Sequence, residues 1–138
     1  MNKLICLFVC LSLSGCQYFA IEEKIFGKYY LVAADEGDQC ALSYHENDRD
    51  NYSHIVGATV FAVGFNENYM IIKQHPRTWP YPHENVTYFY ILPLKEGMDW
   101  CTMNGLLGPM TIEQFNQKRK DLNIPNSLTF TKVMKDLE

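Results

Sequence analysis

Apolar residues in this chain come in short blocks separated by polar, glycine-bearing and proline-bearing turns, which is the punctuation of an antiparallel β protein. Residues 28–34 (KYYLVAA) are rich in β-formers and predict a strand. Asp35-Glu36-Gly37-Asp38 is a turn cluster, and residues 40–44 return as the second half of a first hairpin. The polar run 45–53 (HENDRDNYS) then predicts a surface loop. Residues 58–75 carry the clearest pattern. Thr59, Phe61, Val63 and Phe65 alternate with Ala58, Val60, Ala62 and Gly64, so large side chains share one face and small ones the other. That asymmetry predicts a central strand with a close neighbour over its small face. Asn66-Glu67-Asn68 is a turn that tolerates positive φ, and residues 69–73 (YMIIK) return.

Residues 75–84 (HPRTWPYPHE) hold three prolines and cannot join the middle of a sheet. The sheet resumes at 86–92 (VTYFYIL), with Tyr88 and Tyr90 on one face and Phe89 and Ile91 on the other. Residues 95–108 read as a loop. Thr111 then opens one helix as an N-cap, with Gln114 completing a capping box. Ile112, Phe115, Arg119 and Leu122 fall on its inward stripe, and Asn123 and Pro125 end it. Residues 128–133 (LTFTKV) predict a last strand. The fold class that follows is α+β: an antiparallel β-sheet of five or six strands, a hairpin meander, with one C-terminal amphipathic helix packed on it. Ahead of this body, residues 17–27 form a short connector in which 21–26 predict one or two helical turns. It lacks the Ser, Gly and Pro of a flexible stalk, so the domain sits close to whatever holds its N-terminus.

The first residues break the pattern. Lys3 gives a charged start, residues 4–13 are apolar, and Ser14 and Gly15 are small. This is the layout of a secretory signal peptide, and its apolar run is shorter than the roughly 20 residues a bilayer crossing needs. Leu13-Ser14-Gly15-Cys16 resembles the lipobox of bacterial lipoproteins. That resemblance implies cleavage before Cys16, a diacylglyceryl group on its sulfur, and usually an amide-linked acyl chain such as palmitate. The expected organisation is therefore a signal peptide (1–15), a lipidated N-terminus with connector (16–27) and one globular domain (28–138).

Charge and cysteines follow from that organisation. The whole chain of 138 residues has 12 basic and 16 acidic side chains, a net of −4; loss of Lys3 with the leader makes it −5. Such an acidic chain gains nothing from phosphate backbones, which excludes nucleic acid as an expected partner. It also offers no basic patch to anionic lipid, so the hold on a membrane falls to acyl chains, at about 0.8 kcal/mol per buried methylene. Cys6 and Cys10 leave with the leader, which leaves Cys40 and Cys101. In an exported small domain an even pair reads as one disulfide. Closing a loop of roughly 60 residues stabilises by about 4 kcal/mol in the chain-entropy model. Two buried free thiols are the alternative, and a reactive Cys40 with His45 as its base is a third.

Three stretches are candidates for chemistry. Glu46, Asp48 and Asp50 alternate as calcium ligands do, but Asn51 and Gly57 stand where an EF-hand needs Gly and Glu. His45 and His54 match no zinc template, and a solvated loop is expected. Trp79, Tyr81 and His83 lie among prolines that hold aromatic side chains at low entropy, so this segment is a candidate recognition loop. The competing expectation, and the favoured one, is that Trp79 and Tyr81 fold back over the core. No phosphate loop, serine elbow or zinc-protease motif is present, so no catalytic, cofactor-binding or metal-ligating residue is assigned and no enzyme is expected.

The order of an early hairpin, Val63-Gly64-Phe65-Asn66, residues 69–73 and Tyr88-Phe89-Tyr90-Ile91-Leu92 is similar to a family of small bacterial lipoproteins carrying a domain of unknown function, over roughly residues 27–92. The resemblance implies a fold and no activity. The function expected is that of a lipid-anchored envelope lipoprotein with a non-catalytic binding or structural role and a protein partner in the envelope. A periplasmic inhibitor or immunity protein against a lysozyme-like or toxin enzyme is the first alternative; a hydrolase or metal-dependent enzyme is the second. Gln17, where an Asp resembles an inner-membrane retention signal, points to the outer membrane facing the periplasm in a two-membrane cell. In a cell with one membrane the domain faces outward.

Overall fold

A computed structural model describes residues 19–45, 51–94 and 105–138. Among them are eleven strands in chain order: β1 (Ile21–Phe26), β2 (Tyr29–Ala33), β3 (Ala41–His45), β4 (Tyr52–Val56), β5 (Val60–Phe65), β6 (Tyr69–Gln74), β7 (Arg77–Thr78), β8 (Tyr81–Pro82), β9 (Tyr88–Pro93), β10 (Leu107–Met110) and β11 (Lys132–Val133). One helix, α1 (Ile112–Asp121), precedes the last strand. All recorded pairings are antiparallel. The expected α+β class with one C-terminal helix holds, but the strands divide into two main sheets rather than one. The first has the order β1-β2-β3-β4, the second β10-β9-β6-β5-β11, and β7-β8 form a separate ribbon.

The two main sheets share a core. Leu31, Cys40, Leu42 and Val56 from the first meet Val60, Val63, Met70, Ile72, Tyr90 and Leu92 from the second. On its other face the second sheet carries a separate cluster, with Ile71, Phe89, Ile91 and Met110 beneath Phe115, Ile124 and Leu128. The predicted split of β9 is therefore observed: Tyr90 faces the first sheet and Phe89 and Ile91 face the helix. On β5 the simple alternation is interrupted. A register shift between Val60 and Ala62 places Val60 with Val63 in the shared core, and Phe61 turns to the helix side. There Lys73 Nζ lies 5.9 Å from the Phe61 and Phe89 ring centroids and 4.7 Å from that of Phe130. The close neighbour over the small face is the C-terminal segment. A Cβ on Gly64 would fall 1.9 Å from the Thr129 carbonyl oxygen, so only glycine fits.

The capping box is complete: Gln114 N–H donates to Thr111 Oγ1 and Thr111 N–H donates to the Gln114 side chain. Phe115 is buried, whereas Ile112, expected on the same stripe, is 43% exposed. Arg119 lies over the Phe115 ring and donates to the carbonyls of Pro125 and Leu128, fixing the segment after the helix.

Three sequence expectations fail here. Residues 21–26, expected as helical turns, form β1, because Ile21, Glu23 and Ile25 alternate with exposed Glu22, Lys24 and Phe26. Tyr52 and Ser53, expected in a loop, begin β4. Leu107 and Gly108, also expected in a loop, begin an edge strand that runs to Met110 and tolerates Pro109. The predicted last strand pairs only at Lys132 and Val133, opposite Val63 and Ala62. Cys40 is a buried free thiol. The expected bridge to Cys101 is thus not found, and Cys101 itself lies outside the described residues.

Candidate recognition site

The proline-rich segment does not fold back. Arg77–Thr78 pairs with Tyr81–Pro82 as a two-stranded ribbon, and at its tip Trp79 is 87% exposed and Tyr81 74% exposed. The expectation that these rings cap the core is overturned. Three prolines remove backbone donors that a sheet would need, so the segment leaves the second sheet and turns on itself.

The ribbon is held from below. Arg77 Nη2 donates to the Pro80 carbonyl at 2.7 Å, and Nη1 donates to the Asp38 carbonyl at 3.1 Å. The Asp38 carboxylate lies 3.3 Å from the same guanidinium, an ion pair without hydrogen-bond geometry. Thr59 Oγ1 also donates to the Asp38 carbonyl, so one oxygen joins the turn before β3, the crossing between sheets and the ribbon. At the base, His83 N–H donates to the Pro76 carbonyl at 2.8 Å. His83 Nε2 meets Thr78 Oγ1 at 2.7 Å. Sequence reasoning found Trp79, Tyr81 and His83 but missed Arg77 and Asp38, which are 39 positions apart and form no motif.

The other histidines lie apart from the ribbon tip and from one another in role. His75 is buried, stacks on Phe61 at 4.1 Å and has Nδ1 2.8 Å from the Val86 carbonyl oxygen, which identifies Nδ1–H as the donor. His54 Nδ1 meets Ser43 Oγ at 2.7 Å, while His45 packs on Tyr52 at 4.9 Å. Glu46, Asp48 and Asp50 lie outside the described residues. No group of three or more potential metal ligands occurs among the described residues.

Cys40 is also unsuited to nucleophilic work. Burial first, and the Glu23 carboxylate second, push its thiol up to about 12, so it stays protonated at neutral pH. It belongs to the shared core, whereas His45, five residues along β3, sits on the outer face with Tyr30 and Tyr52. The proposed Cys40–His45 pair does not form. Open grooves among the described residues include one of about 460 Å³ beside Met110, Gln114 and Asp121 and one of about 420 Å³ beside Ile21, Glu23 and Lys132. In the second, Glu23 and Lys132 are paired to each other at 2.6 Å.

No helix among the described residues is long and apolar enough to cross a membrane. Neither a curated protein nor a solved structure matches the chain. A family model does match, over residues 27–134, past the 27–92 expected from sequence and through the helix and last strand. The chain belongs to that family, described as protein of unknown function (DUF3997).

Proposed function

We propose that this protein is a lipoprotein of the cell envelope, held by acyl chains on Cys16, that acts by contact rather than catalysis. Its contact element is the Trp79–Tyr81 ribbon. The observation that carries this reading is the pairing of high exposure with a rigid mount: two large aromatic rings stand in solvent while Arg77 fixes the backbone between them. Exposed rings on a preorganised backbone lose little freedom on binding. The leader ending in Leu13-Ser14-Gly15-Cys16 supports the anchor and, with Gln17, an outer-membrane site facing the periplasm in a two-membrane cell.

Two measurements test the reading separately. Cys16→Ala abolishes metabolic labelling by palmitate and moves the full chain to the soluble fraction; retained labelling removes the anchor. A photo-crosslinking amino acid at position 81 of the lipidated chain yields adducts in the envelope, whereas the same group at position 65 does not. Equal yields from both positions remove the ribbon as the contact element.

A further inference from the structure

The start of β1 and the ribbon lie at one end of the molecule. At the start of β1, Ala20 N–H donates to the Ala34 carbonyl, and Ile21 pairs with Ala33. Phe19 packs edge-on against Tyr52, whose hydroxyl in turn donates to Glu22, so the chain is tied down from residue 19 onward. Beside Ile21 is Gly37, where an added Cβ would lie 3.8 Å from Ile21 Cδ1. The next residue, Asp38, holds Arg77, and Arg77 holds Pro80 at the ribbon tip. A short series of contacts therefore joins the start of β1 to the ribbon. Three residue steps separate Phe19 from Cys16, a reach of about 10 Å when extended.

The tip has the chemistry of the bilayer interface. Residues 78–82 (TWPYP) carry no charge, and exposed Glu84 and Val86 follow them in the chain. The nearby Arg77 is engaged by Asp38 and Pro80 and is not free for phosphate. Trp and Tyr combine an apolar ring with one polar atom and gather at the level of lipid headgroups. The other exposed ring pair, Phe26 and Phe65, meets at a tilt with centroids 5.2 Å apart at the far ends of β1 and β5, away from the start of β1.

Resting on the acyl anchor at Cys16, we infer that the partner of the ribbon is the lipid bilayer itself: Trp79 and Tyr81 seat in the interfacial layer beside the acyl chains and fix the orientation of the domain. The contact is apolar. It forms on zwitterionic lipid and resists salt, because a chain of net charge −5 after leader removal gains nothing from anionic headgroups.

The test uses the lipidated full-length mature protein in phosphatidylcholine vesicles, with Trp100→Phe leaving Trp79 as the one tryptophan. Flotation with the vesicles reports the anchor, and Trp79 fluorescence reports the seat. The expected result is flotation, a blue shift, and quenching that is stronger with lipids brominated near the headgroup than at the chain ends, unchanged by added salt. Flotation with unshifted, unquenched Trp79 overturns the seat and leaves the anchor standing. Loss of flotation with an unacylated Cys16 overturns the anchor and this inference with it. If Trp100→Phe fails to fold, the difference in emission between the wild type and Trp79→Phe gives the same reading. Crosslinking from position 81 to a protein instead of lipid also overturns the seat.

Discussion

The two main sheets are built from different sequence material because they are covered differently. The second sheet has an apolar cluster on each face, the first sheet below it and α1 with residues 124–130 above. Its central strands therefore read as near-continuous apolar runs, VFAVGF in β5 and YFYILP in β9. The first sheet contributes one face to the shared core. Its other face carries Glu22, Lys24, Tyr30, His45, Tyr52 and His54, with ring contacts of 5.5 Å between Tyr30 and Tyr52 and 5.9 Å between Tyr30 and His45. Covering a sheet on two sides makes every position costly to change. Covering it on one side halves that constraint and admits charge into the strands.

Truncation on the doubly covered sheet should have the largest effect. Phe115→Ala removes the ring that seats α1 against Phe89, 5.0 Å away, and should cost about 3–5 kcal/mol by denaturant unfolding. Tyr30→Ala on the outer face of the first sheet loses two edge-on ring contacts, at about 0.5–1.5 kcal/mol each. If Tyr30→Ala costs as much as Phe115→Ala, the contrast between the sheets is wrong. Gly64→Ala comes next. The added methyl meets backbone at Thr129 rather than a movable side chain, so a loss of about 1–3 kcal/mol or more is expected.

This contrast also explains which elements were legible in the sequence. β5, β6 and β9 were readable because strands buried on both faces leave runs of apolar residues that no loop would carry. The capping box was readable because its four residues are contiguous and its geometry is local. β1 was misread because IEEKIF on a singly covered edge has too few apolar residues to separate a period of two from one of 3.6. β4 was missed because YSHIV begins inside a polar run, and its register is set by β3 rather than by its own pattern. The ribbon was located but its outcome was inverted. Prolines announced that the segment leaves the sheet, yet the direction of Trp79 is set by Arg77 and Asp38, a pairing that adjacent residues do not reveal.

Alkaline pH should probe the shared core directly. The Cys40 thiol titrates near 12 when folded, against an ordinary value of 9.0, and burial also raises Tyr29 and Tyr90 above 10.0. In each case the folded state holds its proton more tightly than the unfolded chain. Stability is then complete below pH 9 and falls as pH rises through the folded values. Cys40→Ala should lower stability at neutral pH yet flatten its decline between about pH 9 and 12, the window set by the linkage of that one thiol. Unfolding in denaturant without reductant should expose the Cys40 thiol to a thiol reagent; silence at Cys40 would mean it is bridged.

The smallest effect belongs at the seam where edge strands β1 and β11 meet. Glu23 Oε1 and Lys132 Nζ pair at 2.6 Å, but their side chains are 41% and 43% exposed. Solvent screens such a pair, so a double-mutant cycle through Glu23→Gln and Lys132→Met should give a coupling of about 0.2–1 kcal/mol. The same Glu23→Gln change has a second consequence that its surface position hides. The carboxylate raises the Cys40 thiol from the shared core side, so its loss should lower the alkaline midpoint of Cys40 while neutral stability barely moves. Lys132→Met leaves that carboxylate charged and should not lower the midpoint. Equal shifts from both variants would show that Cys40 responds to loosening of the seam rather than to the charge of Glu23.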